Sequence, residues 1–268
     1  MSAQDAWSAF DVDDVARALS GTRFHLTWRA TTDSTNDDAA ALLGEEAAAG
    51  RILAADYQTR GHGRHARVWH APAGSSLLCT TVIPESLAAS SLWAVPFWCA
   101  LAVADAVEEA AGLRLALQWP NDLLLDGRKC CGILSISRVQ GARAFVACGV
   151  GINVERPAEP GALAELHALD PQPAFLSDRV AGVRRERLLI ALAQRYEAQL
   201  GLLDDPAAVA RRWELRANLS GTAYRIVRDG ETAPFEATAR RIADDGGLIV
   251  VRAGREERIG LADARVLR

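Results

Sequence analysis

Lysine is almost absent from this sequence. Of the 30 Lys and Arg residues in the 268-residue chain, only Lys129 is a lysine. Methionine occurs once, aromatic residues make up 6%, and there are five cysteines. Cys79, Cys99, Cys130, Cys131 and Cys148 are odd in number and form no C-x-x-C pair. That argues against a disulfide framework or a structural zinc site, and for reduced thiols in a reducing, cytoplasmic compartment. Residues 1–14 carry Asp5, Asp11, Asp13 and Asp14 with no basic stretch ahead of an apolar one, so they do not read as a signal peptide. The longest apolar run, residues 92–104, includes Pro96 and falls short of the ~20 residues of a membrane span. It suits a buried helix. A net charge of -4 excludes chain-wide attraction to nucleic acid or anionic membrane, so a basic site has to be local.

Half the residues are hydrophobic and 24% are charged, the balance of a globular chain with one large domain, or one large and one small. Residues 24–28 alternate as a strand, and residues 36–49 read as an Ala/Leu helix entered through Ser34, Thr35 and Asn36. Strand patterns follow at 51–57 and 76–82, separated by a polar, glycine-containing loop at 58–74. Residues 88–111 read as a buried helix interrupted at Pro96, and 115–119 as a strand. Asp126-Gly127 and Gln140-Gly141 mark hairpin turns between 123–125, 133–139 and 144–154. Residues 156–170 read as a surface connection, and 184–202 as a helix. Asp205-Pro206 opens a further helix to about Asn218. Beyond it, short strands alternate with turns, as in a small antiparallel barrel. The expected fold is therefore α/β (α+β): a mixed, hairpin-rich sheet flanked by helices over residues 1–218, and a small barrel over 219–268.

Residues 51–70 hold four arginines against one aspartate. Within them, Gly61 and Gly63 let backbone N–H groups approach an anion, and the Arg64 and Arg67 guanidinium forks match phosphate or carboxylate oxygens. A solvated basic loop, or one touching nucleic acid, is the competing reading. Trp119-Pro120-Asn121-Asp122 precedes a tight hairpin that returns through Lys129 to Gly132. Asp122 is a candidate Mg²⁺ ligand, and Lys129 a cation for a phosphate or reacting carboxylate. The ordinary reading of Asn121-Asp122 is a turn. A lysine kept where every other basic position is arginine points to a need for a compact point charge. Asp33-Ser34-Thr35-Asn36 is most economically a helix cap, which is compatible with ligand contact. Gly149-Val150-Gly151-Ile152-Asn153 lacks the third glycine and following helix of a dinucleotide fingerprint. His62, His65 and His70 lack the helical spacing of a zinc site.

In order, these motifs resemble a biotin protein ligase: Ser34-Thr35-Asn36, Gln58 with Gly61-x-Gly63-Arg64-x-x-Arg67-x-Trp69, Trp119-Pro120-Asn121-Asp122, Lys129-x-x-Gly132, and Gly149-x-Gly151-Ile152-Asn153. The C-terminal strands resemble that family's Src-homology-three-like domain. The resemblance implies that biotin is activated by ATP to biotinyl-AMP, with release of pyrophosphate, and passed to a lysine of a biotin carboxyl carrier protein. It also implies that Ser34, Thr35, Asn36, Gln58, Gly61, His62, Gly63, Arg64, Lys129 and Gly132 bind biotin. Arg64, Arg67, Trp69, Asn121, Lys129 and Asn153 would bind ATP or the adenylate, Lys129 and Arg64 would be catalytic, and Asp122 would hold Mg²⁺. The family usually places arginine where His62 stands and glycine where Ala66 stands, so this loop departs from its pattern. Only about 33 residues precede Ser34, too few for the DNA-binding domain that some members carry, so a monofunctional enzyme without DNA or membrane partners is expected. Lipoate and other acyl-carrier ligases share the fold and the adenylate chemistry. An RNA- or peptide-binding module is the alternative of a different class.

Overall fold

A computed structural model describes residues 10–169, 171–261 and 264–267. Of the sequence-based expectations, the unsignal-like segment 1–9 and Asp170 lie outside these residues. The chain begins with α1 (Val12–Ala18), an element not anticipated from the sequence, capped by Asp11 accepting from the Asp14 N–H. There follow β1 (His25–Thr32), α2 (Thr35–Leu42), β2 (Arg51–Gln58), β3 (Ser76–Val82), β4 (Leu87–Ala88) and α3 (Val95–Ala111). Next come β5 (Ala116–Gln118), β6 (Asp122–Leu125), β7 (Arg128–Gln140) and β8 (Arg143–Asn153). These strands form one mixed sheet in the order β1-β2-β3-β8-β7-β6-β5, with β4 on β8. Among the described strands of this sheet only β1 and β2 pair in parallel, joined by the α2 crossover; the other pairs are antiparallel, β6–β7 and β7–β8 through the hairpins read from Asp126-Gly127 and Gly141.

Two boundaries differ from expectation. The helix read at 36–49 ends at Leu42, where Leu43 turns extended and is buried, and Gly44 takes φ +95°. The connection at 156–170 contains α4 (Pro160–His167), opened by Glu159 accepting from the Ala162 N–H. The apolar segment Ala89–Ala111 is long and apolar enough to span a membrane by length and composition, but it lies in the core. Pro96 sits in the first turn of α3, where its missing N–H costs nothing, rather than kinking a helix. The helix packs between the sheet and α5 (Arg185–Gln199) and α6 (Pro206–Ala217). Trp98 stacks on Tyr196, and Phe97 meets Trp213 edge-on.

Asp205 caps α6 and Asn218 ends it in the left-handed conformation, as Asp205-Pro206 and Asn218 foretell. The remaining strands, β9 (Ala223–Arg228), β10 (Phe235–Ile242), β11 (Leu248–Arg252), β12 (Arg255–Ile259) and β13 (Ala264–Leu267), form an antiparallel sheet ordered β12-β11-β10-β9-β13. It meets the first sheet through Trp119, whose Nε1 donates to the Gly246 carbonyl at 3.0 Å, and through Tyr224, whose hydroxyl accepts from the Trp119 N–H at 3.3 Å.

Candidate active site

A cavity of about 340 Å³ opens above the middle of the large sheet. Its lining draws on α2 (Ser34, Thr35, Asn36), the end of β2 (Gln58), the basic loop (His62, Gly63, Arg64, Arg67, Trp69), Asn121, β7 (Lys129, Gly132) and β8 (Gly149, Gly151, Asn153). Segments distant in sequence thus converge. Of the expected site residues, only Gly61 and Asp122 fall outside the lining.

One end is polar and closed. Ser34, Thr35 and Asn36 are all buried. Ser34 stands at the N-terminus of α2 but makes no capping hydrogen bond, so the capping reading of this segment gives way to a cavity-facing one. Asp33 instead accepts from the Thr59 hydroxyl at 2.5 Å and Arg60 at 2.6 Å, fixing the base of the loop. Gln58 Oε1 accepts from the Thr35 N–H at 2.7 Å and the Thr35 hydroxyl at 3.0 Å. Asn36 Nδ2 donates to the Leu134 carbonyl at 3.2 Å. A Cβ at Gly149 would lie 2.2 Å from Asn36 Oδ1, so this strand position has to be glycine for the helix to settle on the sheet.

The other end is cationic. Lys129 Nζ lies 5.3 Å from the centre of the Trp69 ring and 2.7 Å from Asp122 Oδ1. The indole lies against bare backbone, since a Cβ would come within 2.6 Å of it at Gly151 and within 2.8 Å at Gly132. Burial, reinforced by Arg67 and Arg64, lowers the Lys129 amine to about 8. The basic loop closes on itself, with Gly63 N–H donating to the Arg67 carbonyl at 2.7 Å and Trp69 N–H to the Gly61 carbonyl at 2.9 Å. Arg64 donates to Asn121 Oδ1 at 3.3 Å and to the Leu261 carbonyl beyond β12. Burial and Arg67 pull the Arg64 guanidinium down, while Asp229 opposes them. His65 Nδ1 lies 3.7 Å from Asp229, and His62 Nε2 lies 3.0 Å from Asp37 in the first turn of α2.

Sequence reasoning missed the remaining wall. Leu166, Leu169, Pro171, Pro173 and Phe175 give the cavity an apolar flank. The strap carrying Phe175 is held by the Ala174 N–H donating to the Lys129 carbonyl at 2.8 Å and by Asn153 Nδ2 donating to the Ala174 carbonyl at 3.0 Å. Asp178 anchors its far end. Burial alone would raise that carboxyl, but Arg156, the Phe175 N–H and Arg128 outweigh it and hold it low. No periodicity marks this stretch. Thr80, buried under α2, was also missed; nothing in the sequence sets it apart from Ser76 and Thr81, the other hydroxyl residues buried in the same strand.

Among the described residues no carboxylate lines the cavity and no three His, Cys, Asp or Glu side chains converge; Asp122 lies beside it with Oδ1 2.7 Å from Lys129 Nζ.

A family model described as the biotin/lipoate A/B protein ligase family matches residues 28–153. A biotin--[acetyl-CoA-carboxylase] ligase of Paracoccus denitrificans is 35% identical over 238 residues, covering 82% of this chain and 92% of that protein. One of Mycobacterium tuberculosis is 30% identical over 266 residues, covering 96% and 94%. Among solved structures, the biotin protein ligase from Aquifex aeolicus in complex with biotin and ATP matches with a TM-score of 0.71 at 20% identity, over 91% of this chain and 98% of that chain. At that identity the structural likeness carries the fold alone. The sequence relatives carry more, and the protein is a ligase. The chain belongs to the biotin/lipoate A/B protein ligase family.

Proposed function

We propose that this protein is an ATP-dependent biotin protein ligase. The observation that carries the reading is the polarity of the cavity: uncharged hydrogen-bonding groups at the closed end, and Lys129, Arg64 and Arg67 at the other, with no carboxylate among the described lining residues. Biotin has the matching polarity, a cyclic urea at one end and a carboxylate at the other. Ser34, Thr35, Asn36 and Gln58 meet the urea, whose N–H groups donate and whose carbonyl accepts. Ile133, Leu134 and Val150 line the path between the two ends.

The Lys129 ammonium holds the biotin carboxylate beside the nucleotide. A carboxylate oxygen attacks the α-phosphorus of ATP, an O–P bond forms, and pyrophosphate leaves. Arg64 and Arg67 offset the charge that gathers on the phosphate oxygens, and being fixed before the reaction they need not reorganise during it. Mg²⁺ brought with the nucleotide would offset phosphate charge, with Asp122 the carboxylate beside the site that could hold it. In the second step the amine of an acceptor lysine on a carboxyl carrier domain attacks the acyl carbon, loses a proton, and AMP departs. The apolar flank of Leu166, Pro173 and Phe175 gives the adenine ring a surface to lie on. The buried free thiols support a cytoplasmic setting for this chemistry.

Biotin-dependent ATP/pyrophosphate exchange, which needs no acceptor, tests the proposal. Exchange with biotin and none with lipoate is the expected result. Exchange with lipoate alone, or with neither, overturns it.

A further inference from the structure

Thr80 lies in β3 with its side chain fully buried beneath α2, outside the cavity lining. Its Oγ1 is 2.8 Å from Thr35 Oγ1 and 2.7 Å from Asn36 Oδ1. The protons in this cluster can be assigned from the partners of each group. Gln58 Oε1 accepts from the Thr35 backbone N–H, so the oxygen of that amide faces α2. Asn36 Nδ2 donates to the Leu134 carbonyl, so Asn36 Oδ1 faces Thr80. A carbonyl oxygen brings no proton, and the hydroxyl of Thr80 is the one that reaches it. The Thr35 hydroxyl then has two inward oxygens to donate to, Thr80 Oγ1 and Gln58 Oε1 at 3.0 Å. Either choice turns its hydrogen into the protein and leaves its lone pairs for the cavity.

We propose that Thr80 is a positioning residue for substrate recognition: together with Gln58 it fixes Thr35 as a hydrogen-bond acceptor, and so sets the closed end of the cavity to select a ligand that brings an N–H donor there. The inference rests on the biotin reading above, in which that donor is a ureido N–H. It gives a physical reason for discrimination as well as affinity. A ligand with an oxygen in place of that N–H sets lone pair against lone pair, and a buried polar group left unpaired costs more than a hydrogen bond gained.

Thr80→Val tests this, because it replaces the hydroxyl by a methyl of similar size, leaves Asn36 Oδ1 without its Thr80 donor and leaves the Thr35 hydroxyl held inward by Gln58 Oε1 without the second oxygen that Thr80 supplied. Equilibrium binding is measured by calorimetry on the full chain with two ligands: biotin, and its cyclic carbamate analogue carrying a ring oxygen in place of the ureido N–H. Thr80→Val should weaken biotin about tenfold, leave the carbamate within about twofold of its wild-type value, and so shrink the preference for biotin. Thr80→Ser, which keeps the hydroxyl, should restore that preference. Should the valine variant fail to fold, Thr80→Cys keeps a side chain of similar volume with a weak donor, and the same selective loss should appear in smaller size. Unchanged biotin binding in a folded variant, or equal losses for both ligands, overturns the role given to Thr80. Failure of the wild-type chain to bind biotin would instead overturn the biotin reading itself.

Discussion

The ammonium of Lys129 sits between a carboxylate and an aromatic face, 2.7 Å from Asp122 Oδ1 and 5.3 Å from the centre of the Trp69 ring. Space there is limited. The positions of its Cε and Nζ are 3.0 and 3.1 Å from where a Cβ on Gly132 would stand. A planar guanidinium is larger and cannot occupy the same point while keeping both contacts. Lys129→Arg should therefore lower the biotin-dependent exchange rate by about 10²-fold or more, the size expected when a preorganised charge is misplaced. Exchange within a few-fold of wild type would show that charge alone suffices.

The same lysine sets a pH limit. Its amine is lowered to about 8, chiefly by burial, so the cation needed for a carboxylate is present below that pH and lost above it. The ratio kcat/KM for biotin should fall as pH rises through about 8. Asp122→Asn removes the carboxylate that favours the charged form, so this limb should move to lower pH. A limb that stays in place in the variant would separate the ion pair from the titration.

How much of this was legible beforehand depends on distance along the chain. Lys129 announced itself as the one lysine, whereas the room that Gly149 and Gly151 leave for Asn36 and Trp69 shows only once the strand is folded against them. The hairpins were legible from Asp126-Gly127 and Gly141, since a turn's chemistry is local. Arg64 was legible as an anion binder, but not as a residue that reaches the C-terminal sheet, because its partner Leu261 lies 197 residues away. The strap from Pro171 to Asp178 carries no periodic signal, being held by the carbonyl of Lys129, the amide of Asn153 and the arginines around Asp178. Asp122 was legible as a carboxylate near the site, but its pairing with Lys129 was not, because spacing does not show which way a side chain faces.

The thiols make a prediction about stability with a definite sign. Burial pushes Cys79 and Cys130 up to about 12, and Cys99 and Cys131 well above the ordinary thiol range. Above pH ~9 the unfolded chain releases these protons while the folded chain keeps them, so stability is full below the unfolded value and falls as pH rises. Lys129, lowered when folded, acts in the opposite direction between about 8 and 10.5 but is one group against four. Urea unfolding from pH 8 to 10.5 should show declining stability, and Cys79→Ala should flatten the slope by up to ~1.4 kcal/mol per pH unit. An unchanged slope would exclude the thiol as a cause.

Trp69 and its glycine seat can be separated by a double-mutant cycle. A methyl on Gly151 would lie 2.6 Å from the indole, so Gly151→Ala should displace Trp69, cost about 1–3 kcal/mol of stability and weaken biotin binding by tenfold or more. Trp69→Phe should cost binding as well but leave room for the methyl. The double variant should therefore be better than the sum of the single losses, and strict additivity would mean that the two residues do not act through their contact.

His62 stands where the family that the motifs resemble usually has arginine, and its imidazole meets Asp37 on α2, Nε2 to Oδ2 at 3.0 Å. That link joins the basic loop to the helix whose N-terminus carries the polar end of the site, so its strength bears on how firmly the loop closes over a bound adenylate. An arginine keeps its charge at every working pH and can hold a carboxylate through two N–H groups, whereas an imidazole offers one and is not always charged. His62→Arg should tighten the closure and slow the appearance of free biotinyl-AMP in the absence of acceptor, while Asp37→Ala should remove the link and speed it. The reading requires both shifts: because His62 also lines the cavity, the Asp37→Ala variant separates the effect of the link from that of an added charge, and equal release in wild type and His62→Arg would discard it.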